Sequence, residues 1–185
     1  EQSANICLDT SMNPYQIKSA LNRKLPDDIY INDCRVMNKD FNARFSAKKR
    51  EYNYYIINHY STSKRLYSWY CKWEIDNKKL FQCSDILIGE NDFSLFSKAS
   101  SETENKKCII YKSKWILEND QYIFFIQGNR FLQHMVRLLV GTMVEVGRGR
   151  IPIDDFQKMI KCSRTNFCSV RAPAKGLFLN KVYYD

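Results

Sequence analysis

The stretch from Asn129 to Gly149, NRFLQHMVRLLVGTMVEVGRG, constrains the chain more than any other. At about 100° per residue its positions sort into two unequal faces of a helix. Phe131, Leu132, Met135, Val136, Leu138, Leu139, Met143 and Val146 cover most of the circumference. Arg130, His134, Arg137, Gly141, Glu145 and Arg148 fall in one strip roughly 80° wide on the same count. A helix apolar over most of its girth is buried, so whatever lies against the strip is enclosed or in a cleft. An arginine there needs an anionic partner, because an unpaired buried charge is too costly to keep. A structural carboxylate and a functional one both satisfy that demand. Gly141 costs about 1 kcal/mol relative to alanine inside a helix, so another backbone or a ligand is expected to approach it closely.

The remainder of the chain must build around that helix. With 185 residues, 44% of them hydrophobic, there is material for one ordinary core. No apolar run approaches the ~20 residues of a membrane span, and EQSANICLDT does not read as a signal peptide. The seven cysteines sit at irregular spacings without a CxxC, and there are two histidines. That pattern argues against zinc and against a disulfide framework. Free, mostly buried thiols in a reducing compartment, the cytoplasm, are the plain expectation. The net charge of +9 points to a polyanionic partner, nucleic acid first and an anionic membrane surface second.

In chain order, Ala4 to Leu8 reads as a short strand. Asn13 caps a helix opening on Pro14, with Ile17, Ala20 and Leu21 as its buried face. Ile29 to Met37 reads as a second strand, and the polar connection Asn38–Asn42 is the best boundary. In FNARFSAKKREYNYYIIN, Phe41 to Asn58, the second half alternates as a strand. Its first half carries Arg44, Lys48, Lys49 and Arg50. Basic residues leading into a strand with aromatics suit phosphate contact and base stacking, and equally a solvated edge that discourages strand pairing. His59 to Trp73 reads as an irregular aromatic loop. Asp76 caps a helix through Ile88 with Leu80, Ile86 and Leu87 inward and Gly89 at its end. A turn over Asn91–Phe96 buries Phe93 and Phe96. Ser97 to Lys107 reads as a mobile loop with Lys106 and Lys107 at its base. Two strands follow, Lys107–Leu117 and Tyr122–Gln127, as a hairpin. Pro152 opens a helix with Phe156, Met159 and Ile160 inward, and a strand closes the chain over Leu177–Tyr184. The fold class is α+β, a mostly antiparallel sheet with helices packed on one face.

Three of these segments together resemble the tRNA pseudouridine synthase A family. They are FNARFSAKKREYNYYIIN, NRFLQHMVRLLVGTMVEVGRG and the closing APAKGLFL, with IGENDFSLF and LNRKLPDDI in matching order. The resemblance implies part of a pseudouridine synthase fold. Residues 1–38 would end its N-terminal half, and 39–185 would form the C-terminal half. It implies an isomerase acting on uridines of the tRNA anticodon stem-loop, without metal or organic cofactor, as a homodimer. Tyr52 matches the active-site tyrosine that stacks on the uracil. Arg137 matches the arginine that holds the catalytic carboxylate, and Leu177 matches the apolar residue lining the base pocket. Arg44 matches a tRNA-contacting position. Lys48, Lys49, Arg50, Lys106, Lys107, Arg130, His134 and Arg148 join it as expected RNA contacts.

One departure stands beside these matches. The family's nucleophile lies in Arg-Thr-Asp-x-Gly-Val-His, and no aspartate of this sequence has that context. The expectation is that Arg137 faces an aspartate from upstream sequence, and that these 185 residues alone do not isomerise uridine. A non-catalytic RNA-binding α+β module is the rival reading.

Overall fold

The structure is a computed structural model that describes residues 2–98, 105–162 and 165–184. The chain divides into two compact units, Ser3–Ser46 and a larger one built from Glu1–Gln2 and Ala47–Asp185.

In the smaller unit, α1 (Pro14–Asn22) forms as its cap demands. Asn13 accepts from the Gln16 amide, Gln16 returns the bond to the Asn13 amide, and Pro14 takes the first turn. The two strands expected here do not form. Residues 4–8 and 29–37 have no ladder among the described residues, and without a neighbour a strand leaves its amides to water. The Asn22 side chain instead occupies both backbone groups of Ile31, at 3.1 and 2.8 Å. Nor is the Ile17, Ala20, Leu21 face buried. No residue of α1 is, and Ile17 is only half-covered.

The larger unit is a six-stranded sheet. Its strands are β1 (Lys49–Ile57), β2 (Trp69–Tyr70), β3 (Gly89–Asp92), β4 (Lys107–Glu118), β5 (Gln121–Gly128) and β6 (Leu177–Tyr183). Antiparallel pairing runs β1-β5-β4-β3. The other edge of β1 is shared, with β6 antiparallel along Lys49–Tyr54 and β2 parallel at Ile56 and Ile57. The β4–β5 hairpin turns on Asn119 and Asp120, both with positive φ (47° and 58°), the turn that matches strand twist.

Along β5 the alternation is clean: Tyr122, Phe124 and Ile126 are buried, whereas Ile123 and Phe125 are half-exposed. The buried face meets α2 (Asn77–Ile86), α3 (Met135–Gly147) and α4 (Ile153–Ile160) in one core with Tyr54, Ile56, Met135, Leu139, Met143 and Phe156. The α+β expectation, a mostly antiparallel sheet with helices on one face, describes this unit. Apolar girth is also confirmed, since ten of the α3 residues, from Met135 through Gly147, are buried.

Boundaries differ where tertiary pairing outweighs local pattern. The β4 edge recruits Gly89–Asp92 as a strand, so α2 stops at Ile86 and the expected turn is confined to residues 94–96. Phe93 and Phe96 are nonetheless buried as expected. The 59–73 loop contains β2. Most of the expected 97–107 loop, residues 99–104, lies outside the described residues. The long helix starts at Met135 rather than near Asn129. Asn129 extends the sheet, its amide donating to Ile109 O and its side chain accepting from the Ile109 amide (3.0 and 2.9 Å). His134 then breaks the path with φ +67° before the helix begins. All seven cysteines are free, as expected, but only Cys71, Cys83 and Cys108 are buried; Cys7, Cys162 and Cys168 are exposed.

Candidate active site

With α3 starting at Met135, its polar strip shrinks to Arg137, Gly141, Glu145 and, at the cap, Arg148; Arg130 is not on the helix. The strip is in two parts. At its C-terminal end Arg148 pairs with Glu145 at 2.6 Å, the two side chains only 7% and 13% exposed. The Arg148 guanidinium also lies 3.6 Å from the centroid of Trp73. Its charge and its planar face are both engaged within the protein, where it packs the end of the helix.

The other end is bridged by the backbone of residues 170–172. A Cβ at Gly141 would stand 2.2 Å from Val170 O and 2.8 Å from Ala172 N, so the close approach is another backbone, not a ligand. The Val170 amide donates to Thr142 Oγ1 at 2.9 Å and the Ala172 amide to Arg137 O at 3.0 Å. Arg137 returns its Nε to Ala172 O at 2.8 Å. One donor of the fork is thereby fixed and the guanidinium held in one orientation. Arg137 is half-buried and no ion pair reaches it among the described residues. Burial, then the nearby Arg171 charge, lower its pKa, and the Tyr54 hydroxyl acts the other way.

From Ala172 the chain runs directly to the sheet. Pro173 O accepts from the Tyr54 hydroxyl at 2.6 Å, and Gly176 leaves room for the Tyr54 ring, 2.8 Å from where its Cβ would be. Leu177 then opens β6 opposite Tyr54, and Tyr52 sits opposite Leu179 and Ile126. Directly opposed residues share a face, so Tyr52, Tyr54 and Leu177 project to the same side of the sheet as the helices. The Tyr52 ring meets Phe131 edge-on at 5.1 Å. Its hydroxyl makes no hydrogen bond among the described residues, and burial raises its pKa. Arg137 and Tyr54 are thus hydrogen-bonded to segment 170–177, Leu177 ends that segment, and Tyr52 lies further along the same face of β1, opposite Leu179.

That arrangement can be set beside known proteins. A family profile described as tRNA pseudouridine synthase matches residues 84–185. A protein of Exiguobacterium sibiricum named tRNA pseudouridine synthase A is 35% identical over 176 residues, 95% of this chain and 71% of that protein. One of Geobacillus with the same name is 37% identical, over 95% of this chain and 71% of its own length. One of Borrelia duttonii is 34% identical, over 100% of this chain and 76% of its own length. The chain belongs to the tRNA pseudouridine synthase A family.

For the basic residues that the synthase pattern assigns to RNA, the structure gives separate placements. Arg44 belongs to the smaller unit, its guanidinium 5.3 Å over the Phe45 ring. The Lys48 amide donates to Tyr183 O at 2.7 Å, and the Lys49 ammonium lies 5.5 Å over Tyr111. Arg50 donates to Asn129 O at 3.1 Å and Arg130 to Asn105 O, which brings both arginines to the same end of the sheet. Lys106 O accepts from the Phe93 amide, and Lys107 approaches Glu90 at 3.9 Å. His134 caps α3 from its left-handed turn without a side-chain cap bond. Sequence reasoning missed two cations beside it. The His134 pKa is lowered by burial first, then by Arg171, Arg137 and Lys98. Arg171 directly precedes the APAKGL motif, and the glycine at 141 was the signal that its backbone would be drawn onto the helix. Among the described residues no cluster of His, Cys, Asp and Glu could hold a metal ion.

Proposed function

We propose that the protein is a tRNA pseudouridine synthase, isomerising uridine to pseudouridine in the anticodon stem-loop of tRNA. The observation that carries this reading is Arg137, oriented by Ala172 O and lacking an acidic partner among the described residues. A flipped uridine would enter between Tyr52, which stacks on the ring, and Leu177, which lines its pocket. Arg137 would hold the carboxylate of the nucleophilic aspartate ionised and aimed at the glycosidic bond. That bond breaks, the base turns, and carbon 5 takes the place of the ring nitrogen. The carbon 5 proton is then lost to water and the freed ring nitrogen takes one up, with the Tyr52 hydroxyl assisting as a hydrogen-bond donor to the ring. No cofactor enters this scheme. Arg44, Lys48, Lys49, Arg50, Lys106, Lys107 and Arg130 would contact the RNA, their charge offsetting the cost of unstacking.

We read residues 1–38 as the end of one half of the synthase and 39–185 as the other. The working protein would be a cytoplasmic homodimer. No described helix is long and apolar enough to cross a membrane. The test is incubation of the full-length gene product with tRNA carrying tritium at uridine carbon 5. Release of tritium is expected. Tight tRNA binding without release would favour the non-catalytic RNA-binding module instead.

A further inference from the structure

We propose that Arg171, with His134 and Lys98, forms a phosphate subsite beside Arg137 that takes a backbone phosphodiester flanking the target uridine. The inference rests on the synthase reading above and adds to it, at Arg171 and Lys98, substrate contacts that the family pattern in this sequence does not assign, with His134 as the expected RNA contact they flank.

Three independent pieces of backbone bring these groups together. Segment 170–172 is fixed on α3 by the Thr142, Arg137 and Gly141 contacts, and that fixes the Cα from which Arg171 projects. The Lys98 amide donates to Gln133 O at 3.1 Å, which ties the lysine beside the residue preceding His134. His134 is held by the turn into α3, the Met135 amide donating to Leu132 O and the Leu138 amide to His134 O (3.1 and 2.9 Å). The open first turn of α3 adds partial charge of the same sign.

Charge of one sign gathered this way works against folding unless something offsets it. Here Arg137 and His134 each feel Arg171, and His134 feels Lys98 as well. None of the four is in an ion pair among the described residues. Among the described residues, a single carboxylate on Arg137 would leave the charges of Arg171 and Lys98 without an acidic partner. Both are exposed, so a strand passing outside the base pocket can reach them. The ligand that supplies a second anion at a fixed step from a flipped base is the phosphate of the same strand. A guanidinium meets its oxygens with two parallel N–H bonds, and the imidazole can donate a third.

The experiment uses the full-length protein and an anticodon stem-loop RNA, with binding measured from low to high salt. Arg171→Ala should weaken binding and reduce the slope of log K against log salt by about 0.7 to 0.9, one phosphate contact. Arg171→Lys should keep the slope and recover part of the affinity. A neutral methylphosphonate, placed in turn at each linkage around the target uridine, should weaken wild-type binding at one position. At that position it should add nothing further in Arg171→Ala. An unchanged salt slope, or additive losses at every linkage, overturns the subsite. Arg171→Gln serves as a second neutral variant if alanine compromises folding, judged by thermal melting. Tritium release by the wild type on the same RNA separates the two ideas. Release with an unchanged Arg171→Ala slope overturns only the subsite, whereas no release overturns the synthase reading beneath it.

Discussion

Arg137 and Ala172 hold each other twice: Nε donates to the Ala172 carbonyl at 2.8 Å, and the Ala172 amide donates to the Arg137 carbonyl at 3.0 Å. The guanidinium is therefore positioned by a backbone segment that leads directly into the strand bearing Leu177. This coupling makes α3 and the 170–177 segment one unit of the site.

Gly141→Ala tests the coupling. The new Cβ would stand 2.2 Å from Val170 O, a backbone atom that cannot swing aside. Overpacking costs about 1–3 kcal/mol, and the better helix propensity of alanine returns only about 1. Net destabilisation is expected in urea unfolding, with turnover falling further than stability explains because the Ala172 carbonyl leaves Arg137. A fully active, more stable variant would show that the segment does not orient the arginine.

Arg137→Lys preserves charge but not the fork. One guanidinium nitrogen is engaged by Ala172 O, and the remaining two are those that could grip a carboxylate side by side. A lysine provides one point of contact and cannot satisfy both partners. Turnover should drop on the order of a hundredfold or more, the scale of losing one transition-state donor, while tRNA affinity stays near wild type. Single-turnover tritium release alongside filter binding distinguishes this from a purely structural arginine, whose replacement would leave turnover nearly unchanged.

Tyr52 offers a ring and a hydroxyl that can be removed separately. Burial raises the pKa of the phenol, so it stays neutral at neutral pH and would act as a hydrogen-bond donor, not as a phenolate base. Tyr52→Phe should keep stacking and lose only the proton step. Tyr52→Leu loses the stacking too, which is about 1–3 kcal/mol per base. Equal rates for the two variants would mean the ring does not stack on substrate. An alkaline rise in the rate, absent from Tyr52→Phe, would overturn the neutral-donor assignment.

What the sequence made legible followed from local signals that tertiary structure does not override. The Asn13–Pro14 cap, the Asn119–Asp120 turn and the apolar girth of Met135–Val146 each specify their own geometry. Strands over 4–8 and 29–37 were misread because β propensity describes a residue's fit to a pleated surface, and no ladder adjoins them among the described residues. The helix start was misplaced because Asn129 has the polar character of a cap yet spends its side chain on the Ile109 amide. At the candidate site, Arg137, Tyr52 and Leu177 could be named from their resemblance to the family's motifs. Arg171 could not, since its place depends on a crossing of two backbones far apart in sequence. Arg148 shows the opposite case: its place on the strip was legible, but nothing local revealed Trp73 and Glu145 closing over it.

His134 supplies the pH test. Burial, Arg171, Arg137 and Lys98 together hold its folded pKa below the ordinary imidazole value. Between the two values the unfolded chain binds more protons than the folded one, so stability is lost as pH falls through the folded pKa and is fully present above the unfolded one. Without RNA, unfolding free energy should therefore decline below about pH 6.5, and His134→Gln should flatten that decline. A phosphate bound among these cations acts in the opposite direction, restoring the pKa and favouring proton uptake. Stem-loop affinity should accordingly rise between pH 7.5 and 6 in the wild type, more than in His134→Gln. Arg171→Ala should also show less of this rise: its folded imidazole titrates closer to the free value, and the phosphate has lost its principal anchor. Parallel pH profiles for the wild type and His134→Gln would mean that the imidazole does not face the bound strand.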